Sequence, residues 1–304
     1  MASQALEWVA IRPGAPTTGP TELTAKKGRM THDNSDTPVV LITGASSGIG
    51  EACARLFHSK HYRVALSSNE PAEGIKLQGD LNHQRPRTAR FLECDVRRRD
   101  QIEMMVSSAI TEFGRIDVLI NNVGFNSAGK ALDQLTFEEI DDLIGVNLLS
   151  CILVTRFALV HLRKNAGSIV NIGSLAGAIG HQGLAVYCAT KGGVSSFSKA
   201  LAIDEAAFGI RVNTVLPGNI LTASRQRLED SMPPDARREF HELVESWQWM
   251  GRSGQPSEVA QVCLFLADSD ASFVTGAEIV VSGGAEIGFG PKHLTGRHRA
   301  KNDD

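Results

Sequence analysis

The sequence predicts a doubly wound α/β domain built on one parallel sheet, on three observations. Seven short β-branched runs are apolar almost throughout, as strands covered on both faces are. Helical patterns lie between them, so strand and helix alternate along the chain. The 304 residues, 42% hydrophobic, are enough for one large core of this kind.

The elements follow in order. Residues 1–37 are rich in Pro, Gly, Thr and charge and lack the apolar centre of a secretory signal, so a disordered extension is expected there. VVLIT (39–43) is the first strand, and a glycine-rich turn leads from it into a helix from about Gly48 to Lys60. RVALS (63–67) is the second. The segment after it holds Pro71, Gly74, Gly79 and Pro86, so its helix is expected to be short or broken. RFLEC (90–94) is the third, and the basic run Arg97-Arg98-Arg99 reads as the solvated start of a helix to Phe113. VLIN (118–121) is the fourth, and Thr136-Phe137-Glu138-Glu139 is a capping box that opens a long helix. SIVNI (168–172) precedes a helix whose C-terminal cap is Gly209, and RVNTVL (211–216) follows. A polar, helix-prone insertion spans about 221–250, Pro256 opens a further helix with Glu258 in its first turn, and EIVV (278–281) is the seventh strand. One domain over 38–286 is expected, with a loose tail over 287–304.

Composition narrows the function. The net charge of −3, with basic residues dispersed, does not fit a nucleic-acid binder. No run of about 18 apolar residues suggests a membrane span. Five cysteines without a CxxC, four of them in apolar segments, suggest a reduced cytoplasmic protein with buried thiols. The nine histidines show no ligand spacing, so no metal site is expected.

The motifs that carry chemistry follow strand ends, where ligands of such sheets bind. Gly44, Gly48 and Gly50 lie between the first strand and its helix, with Thr43 and Ser46 as polar partners. Glycines there let the backbone approach a pyrophosphate, and the helix N-terminus offers free N–H groups. Tyr187 and Lys191 are four apart and share a helix face. A free tyrosine has a pKa near ~10, and a neighbouring cation lowers it. Such a tyrosine can pass a proton to a carbonyl oxygen or take one from an alcohol near neutral pH. Ser174, just past SIVNI, can polarise the same oxygen. Asn147 sits in an apolar helix and needs a hydrogen-bond partner.

TGASSGIG (43–50) resembles the glycine motif of the short-chain dehydrogenases/reductases, and CDV (94–96), NNVG (121–124), GVNLLS (145–150), IGSLAG (172–177), YCATK (187–191) and PGNILT (217–222) continue the resemblance in order. It implies a Rossmann fold, with sheet order 3-2-1-4-5-6-7, and an oxidoreductase interconverting a secondary alcohol and a ketone. It implies Asn147, Ser174, Tyr187 and Lys191 as the catalytic set, with Asn147 holding a water that links Lys191 to solvent. The implied cofactor contacts are Gly44, Ser46, Ser47, Gly48, Ile49 and Gly50, Ser68, Asp95 and Val96, Asn122, Val123 and Gly124, Tyr187 and Lys191, then Pro217, Gly218, Ile220 and Thr222. Val123 stands where the family usually has alanine. Within the family, GAIGHQGLAVYCATKG and GGAEIGFG resemble the group of 17β-hydroxysteroid dehydrogenase type 14, described also as acting on L-fucose.

NAD enzymes of this kind carry an acid at the end of the second strand. Here Ser68 stands there, and Glu70 comes two residues late. Neither Ser47 nor Asn69 supplies a cation for a 2′-phosphate. The pocket reads as neutral, and NADP is placed ahead of NAD. The insertion over 221–250 is expected to cover a small-molecule substrate lined by Phe125, Leu175, His181, Leu184, Trp247 and Trp249, whether steroid, sugar or simple ketone. A homotetramer is the family expectation. The alternatives are a 3-oxoacyl-carrier-protein reductase and a non-catalytic dinucleotide-binding scaffold.

Overall fold

The β-branched runs form strands β1 (Val39–Thr43), β2 (Arg63–Ser68), β3 (Ala89–Glu93), β4 (Val118–Asn121), β5 (Ser168–Ile172), β6 (Arg211–Pro217) and β7 (Glu278–Val281). The structure is a computed structural model and describes residues 36–126 and 129–288. The expected extension therefore lies outside the described residues up to residue 35, as does the expected tail from residue 289. All pairings are parallel, in the order β3-β2-β1-β4-β5-β6-β7. The order reverses between β1 and β4, which opens a crevice beyond their C-terminal ends.

Period-two alternation divides the sheet between two apolar layers. Val40 and Ile42 face a core shared with α1 (Gly48–Ser59), α2 (Pro71–Gln84) and α10 (Pro256–Ala267). Val39 and Leu41 face the other, shared with α3 (Arg99–Phe113), α5 (Ser150–Leu162) and α7 (Ala185–Glu205). All five cysteines are free thiols, four of them buried.

One expectation needs correction. The segment after β2 is an unbroken helix of 14 residues. Pro71 sits at its first position, where a missing N–H costs nothing, and Pro86 falls beyond its end. Gly74 packs where a Cβ would lie 2.1 Å from the Phe91 ring. The long helix expected after Thr136 is present, as the continuous stretch Phe137–Asn165. Its capping box forms, with Glu139 N–H donating to Thr136 Oγ1 and Thr136 N–H to Glu139. However, α4 (Phe137–Ile144) passes into a π-helical turn, Gly145–Leu149, before α5 begins. The continuous stretch Phe137–Asn165 is long and apolar enough to cross a bilayer by length and composition, which no single apolar run had suggested. Its apolar residues are spread over several faces, and one face, including Leu143, Val154, Ala158 and Leu162, is buried in this domain.

Candidate active site

Four side chains named from the sequence meet beyond the C-terminal ends of β4 and β5. Ser174 follows β5, and Tyr187 and Lys191 project from α7. The Ser174 hydroxyl lies near enough to the Tyr187 phenol to hold its pKa down against burial. Lys191 is 3% exposed, and its ammonium donates to Ile172 O at 2.9 Å and lies 6.0 Å from the Tyr187 ring centroid. Asn147 comes from the π turn, a local form frequent at functional sites. Its Oδ1 accepts from Phe125 N and its Nδ2 donates to Phe125 O, both at 2.9 Å, so the amide fixes the loop after β4. Gly124 lies between these groups: a Cβ there would sit 2.9 Å from Lys191 Nζ and 3.0 Å from Asn147 Oδ1.

The electrostatics depart from expectation. Burial pushes the phenol above its usual value, and the neighbouring Ser174 hydroxyl opposes the rise. Burial likewise brings Lys191 down to about 8, because its ammonium faces a carbonyl rather than a carboxylate.

The glycine turn fits a dinucleotide. Gly44 and Gly48 adopt φ of +63° and +57°, and a Cβ on Gly50 would lie 2.1 Å from Gly44 O. Ser47 precedes α1 without a side-chain cap, leaving first-turn N–H groups beside Ile49 for an anion. Asn122 Nδ2 donates to Thr43 O and Gly44 O, and Asn122 N donates to Thr43 Oγ1, which ties this turn to the loop of Val123 and Gly124. Thr222 caps α8 (Ala223–Asp230), and its methyl lies 3.4 Å from where a Gly48 Cβ would be, so the insertion starts against the cradle. Pro217 ends β6, Gly218 N donates to Val281 O, and Ile220 bridges to Gly254, which fixes that strand end. Asp95, next to buried Val96, is held by Arg97 Nη2 at 2.7 Å, which keeps its carboxyl below the usual range.

The end of β2 is not the neutral pocket expected. Glu70 folds back, and its Oε2 accepts from Ser46 Oγ at 2.5 Å. Ser46 Oγ is also 2.8 Å from Ser68 Oγ, which accepts from Glu70 N at 3.0 Å. Sequence spacing missed this contact because the acid lies past the strand, at the N-cap of α2. It also missed the carbonyl of Ile172 as the partner of Lys191 and Arg97 as the partner of Asp95.

The substrate-side residues divide. Leu175 and Leu184 are buried, Phe125 is exposed beside the Asn147 clamp, and His181 meets Trp247 edge-on with ring centroids 5.7 Å apart. This pair joins the loop after α6 (Ala176–Ile179) to the end of α9 (Pro234–Ser246). Trp249 turns elsewhere: its Nε1 donates to Gly288 O at 3.4 Å, so it packs against the segment after β7.

Residues 44–286 match a family model described as enoyl-(acyl carrier protein) reductase. The chain is 41% identical to L-fucose dehydrogenase of Bos taurus over 255 residues, 84% of this chain and 91% of the relative. It is 38% identical to meso-2,3-butanediol dehydrogenase of Serratia marcescens, over 84% of this chain and 97% of that one. A solved structure of an actinorhodin polyketide ketoreductase variant with NADPH superposes with a TM-score of 0.77 at 33% identity, covering 83% of this chain and 98% of that one.

Proposed function

The chain belongs to the short-chain dehydrogenase/reductase family, and on that premise we propose that it oxidises a secondary alcohol of a sugar or small polyol, and reduces the matching ketone, with Tyr187 as the proton carrier. It is an oxidoreductase acting on CH–OH groups and uses a nicotinamide dinucleotide. The observation that carries the proposal is the buried Lys191 ammonium, 6.0 Å from the Tyr187 ring centroid, with Ser174 beside the phenol.

The residues divide the work. Ser174 holds the substrate oxygen against the Tyr187 hydroxyl and stabilises charge on that oxygen. Tyr187 takes the alcohol proton in oxidation and returns it in reduction. Lys191 hydrogen-bonds the cofactor ribose, and its charge offsets the phenolate as it forms. Asn147 acts as a positioning residue, fixing Phe125 beside the substrate. The nicotinamide ring accepts or supplies the hydride when bound. The glycine turn holds the pyrophosphate and Asp95 the adenine end. His181 and Trp247 present a polar edge and an aromatic face, a pairing that suits a hydroxylated substrate. The relatives' alcohol substrates favour this reading over acyl-carrier-protein chemistry.

Tyr187→Phe tests the assignment. The variant is expected to bind NADH with unchanged affinity while its turnover on L-fucose and meso-2,3-butanediol falls by ~10³-fold or more. Near-normal turnover would remove Tyr187 from the mechanism. We read the assembly as a homotetramer; the exposed Leu149, Val160 and Ile203 of the π turn, α5 and α7 support that reading.

A further inference from the structure

Among the contacts around the cradle, one has no counterpart in the sequence motifs. Ser68, at the end of β2, occupies the place where an acid was expected. The carboxylate present there comes instead from Glu70, whose backbone at φ −112° and ψ 83° precedes α2 and turns the side chain back over the strand end. Three bonds fix it: Ser46 Oγ to Glu70 Oε2 at 2.5 Å, Ser46 Oγ with Ser68 Oγ at 2.8 Å, and Glu70 N to Ser68 Oγ at 3.0 Å. Ser46 and Ser68 are 8% and 5% exposed, so the base of this cluster is fixed in the fold. Glu70 itself is exposed, so a ligand can reach its carboxylate. Ser46 belongs to the glycine turn, which places the carboxylate beside the adenosine half of a dinucleotide whose pyrophosphate rests on that turn.

We infer that Glu70 selects NAD over NADP, acting from the cap of α2 instead of the end of β2. This rests on the cofactor assignment above. One carboxylate oxygen is engaged by Ser46, and the remaining lone pairs can accept from the 2′-hydroxyl of the adenosine ribose. A 2′-phosphate in the same place brings about two negative charges against a carboxylate. Ser47 and Asn69, the positions from which a cation would answer that charge, are neutral.

The test is direct titration of NADH and NADPH into the full-length protein by calorimetry, with no substrate present. NADH is expected to bind ~100-fold more tightly than NADPH, the scale of a charged hydrogen bond gained against a repulsion. Glu70→Gln, with nearly the same shape and no charge, is expected to narrow the ratio to ~10-fold or less, chiefly by tightening NADPH. Glu70→Ala provides the same comparison if the glutamine variant fails to fold by circular dichroism. A purely structural role for Glu70 would shift both affinities together and leave the ratio intact, which would overturn the inference. So would a wild-type ratio below ~10, whatever the variants do. Failure of wild-type protein to bind either dinucleotide would instead remove the cofactor assignment, and this selectivity with it.

Discussion

Lys191 brings a positive charge into the interior, where the carbonyl of Ile172 holds it. Burial lowers its pKa from 10.5 to about 8, so the folded state binds the lysine proton less tightly than the unfolded chain does. The cost is complete below pH 8 and is relieved as pH rises toward 10.5. At ~1.4 kcal/mol per pH unit it amounts to about 3 kcal/mol at neutral pH. Lys191→Met removes that cost and leaves Ile172 O unpaired, a loss of about 1 kcal/mol. The variant is therefore expected to be inactive yet about 2 kcal/mol more stable at pH 7 in the ligand-free protein, with the gain shrinking by pH 10. Urea unfolding at the two pH values measures this, and a variant less stable at pH 7 contradicts it. Sequence spacing found Lys191 as a charge one helical turn from a phenol. It could not find the direction of the shifts, because those depend on burial and on the carbonyl that the ammonium faces.

At the scale of elements, α2 separates two roles of glycine. Gly74 lies under the Phe91 ring, whereas a Cβ at Gly79 would meet nothing within 4 Å. Gly79→Ala is expected to stabilise the protein by ~0.5–1 kcal/mol, since alanine restricts the unfolded chain and suits the helix. Gly74→Ala is expected to destabilise it by ~1–3 kcal/mol through overpacking. Thermal unfolding of the two variants gives opposite signs, and a shared sign would refute this account. The seven strands and most helix limits were legible because strand apolarity and caps such as Thr136–Glu139 and Gly209 are local signals. The continuity of α2 was not legible, because what tolerates Gly74 is an aromatic ring from the next strand. The π turn at Asn147 was not legible either: the amide is held by the backbone of Phe125, 22 residues away.

For the whole molecule, apolar side chains remain exposed outside both cores. A homotetramer predicts a sedimenting mass four times that of the chain. The double variant Val160→Asp, Ile203→Asp is expected to shift it to smaller species without loss of helical signal; a monomeric wild type would end the proposal. The sequence by itself determined the doubly wound sheet and the glycine turn, and it named Ser174, Tyr187 and Lys191 as proton-handling candidates, because periodicity and motif spacing act over a few residues. The tertiary structure alone decided which way the pKa values move, that Trp249 faces the segment after β7, and that Glu70 reaches Ser46 across 24 residues of chain. These outcomes depend on distances between elements, and such distances are set only when the two cores close.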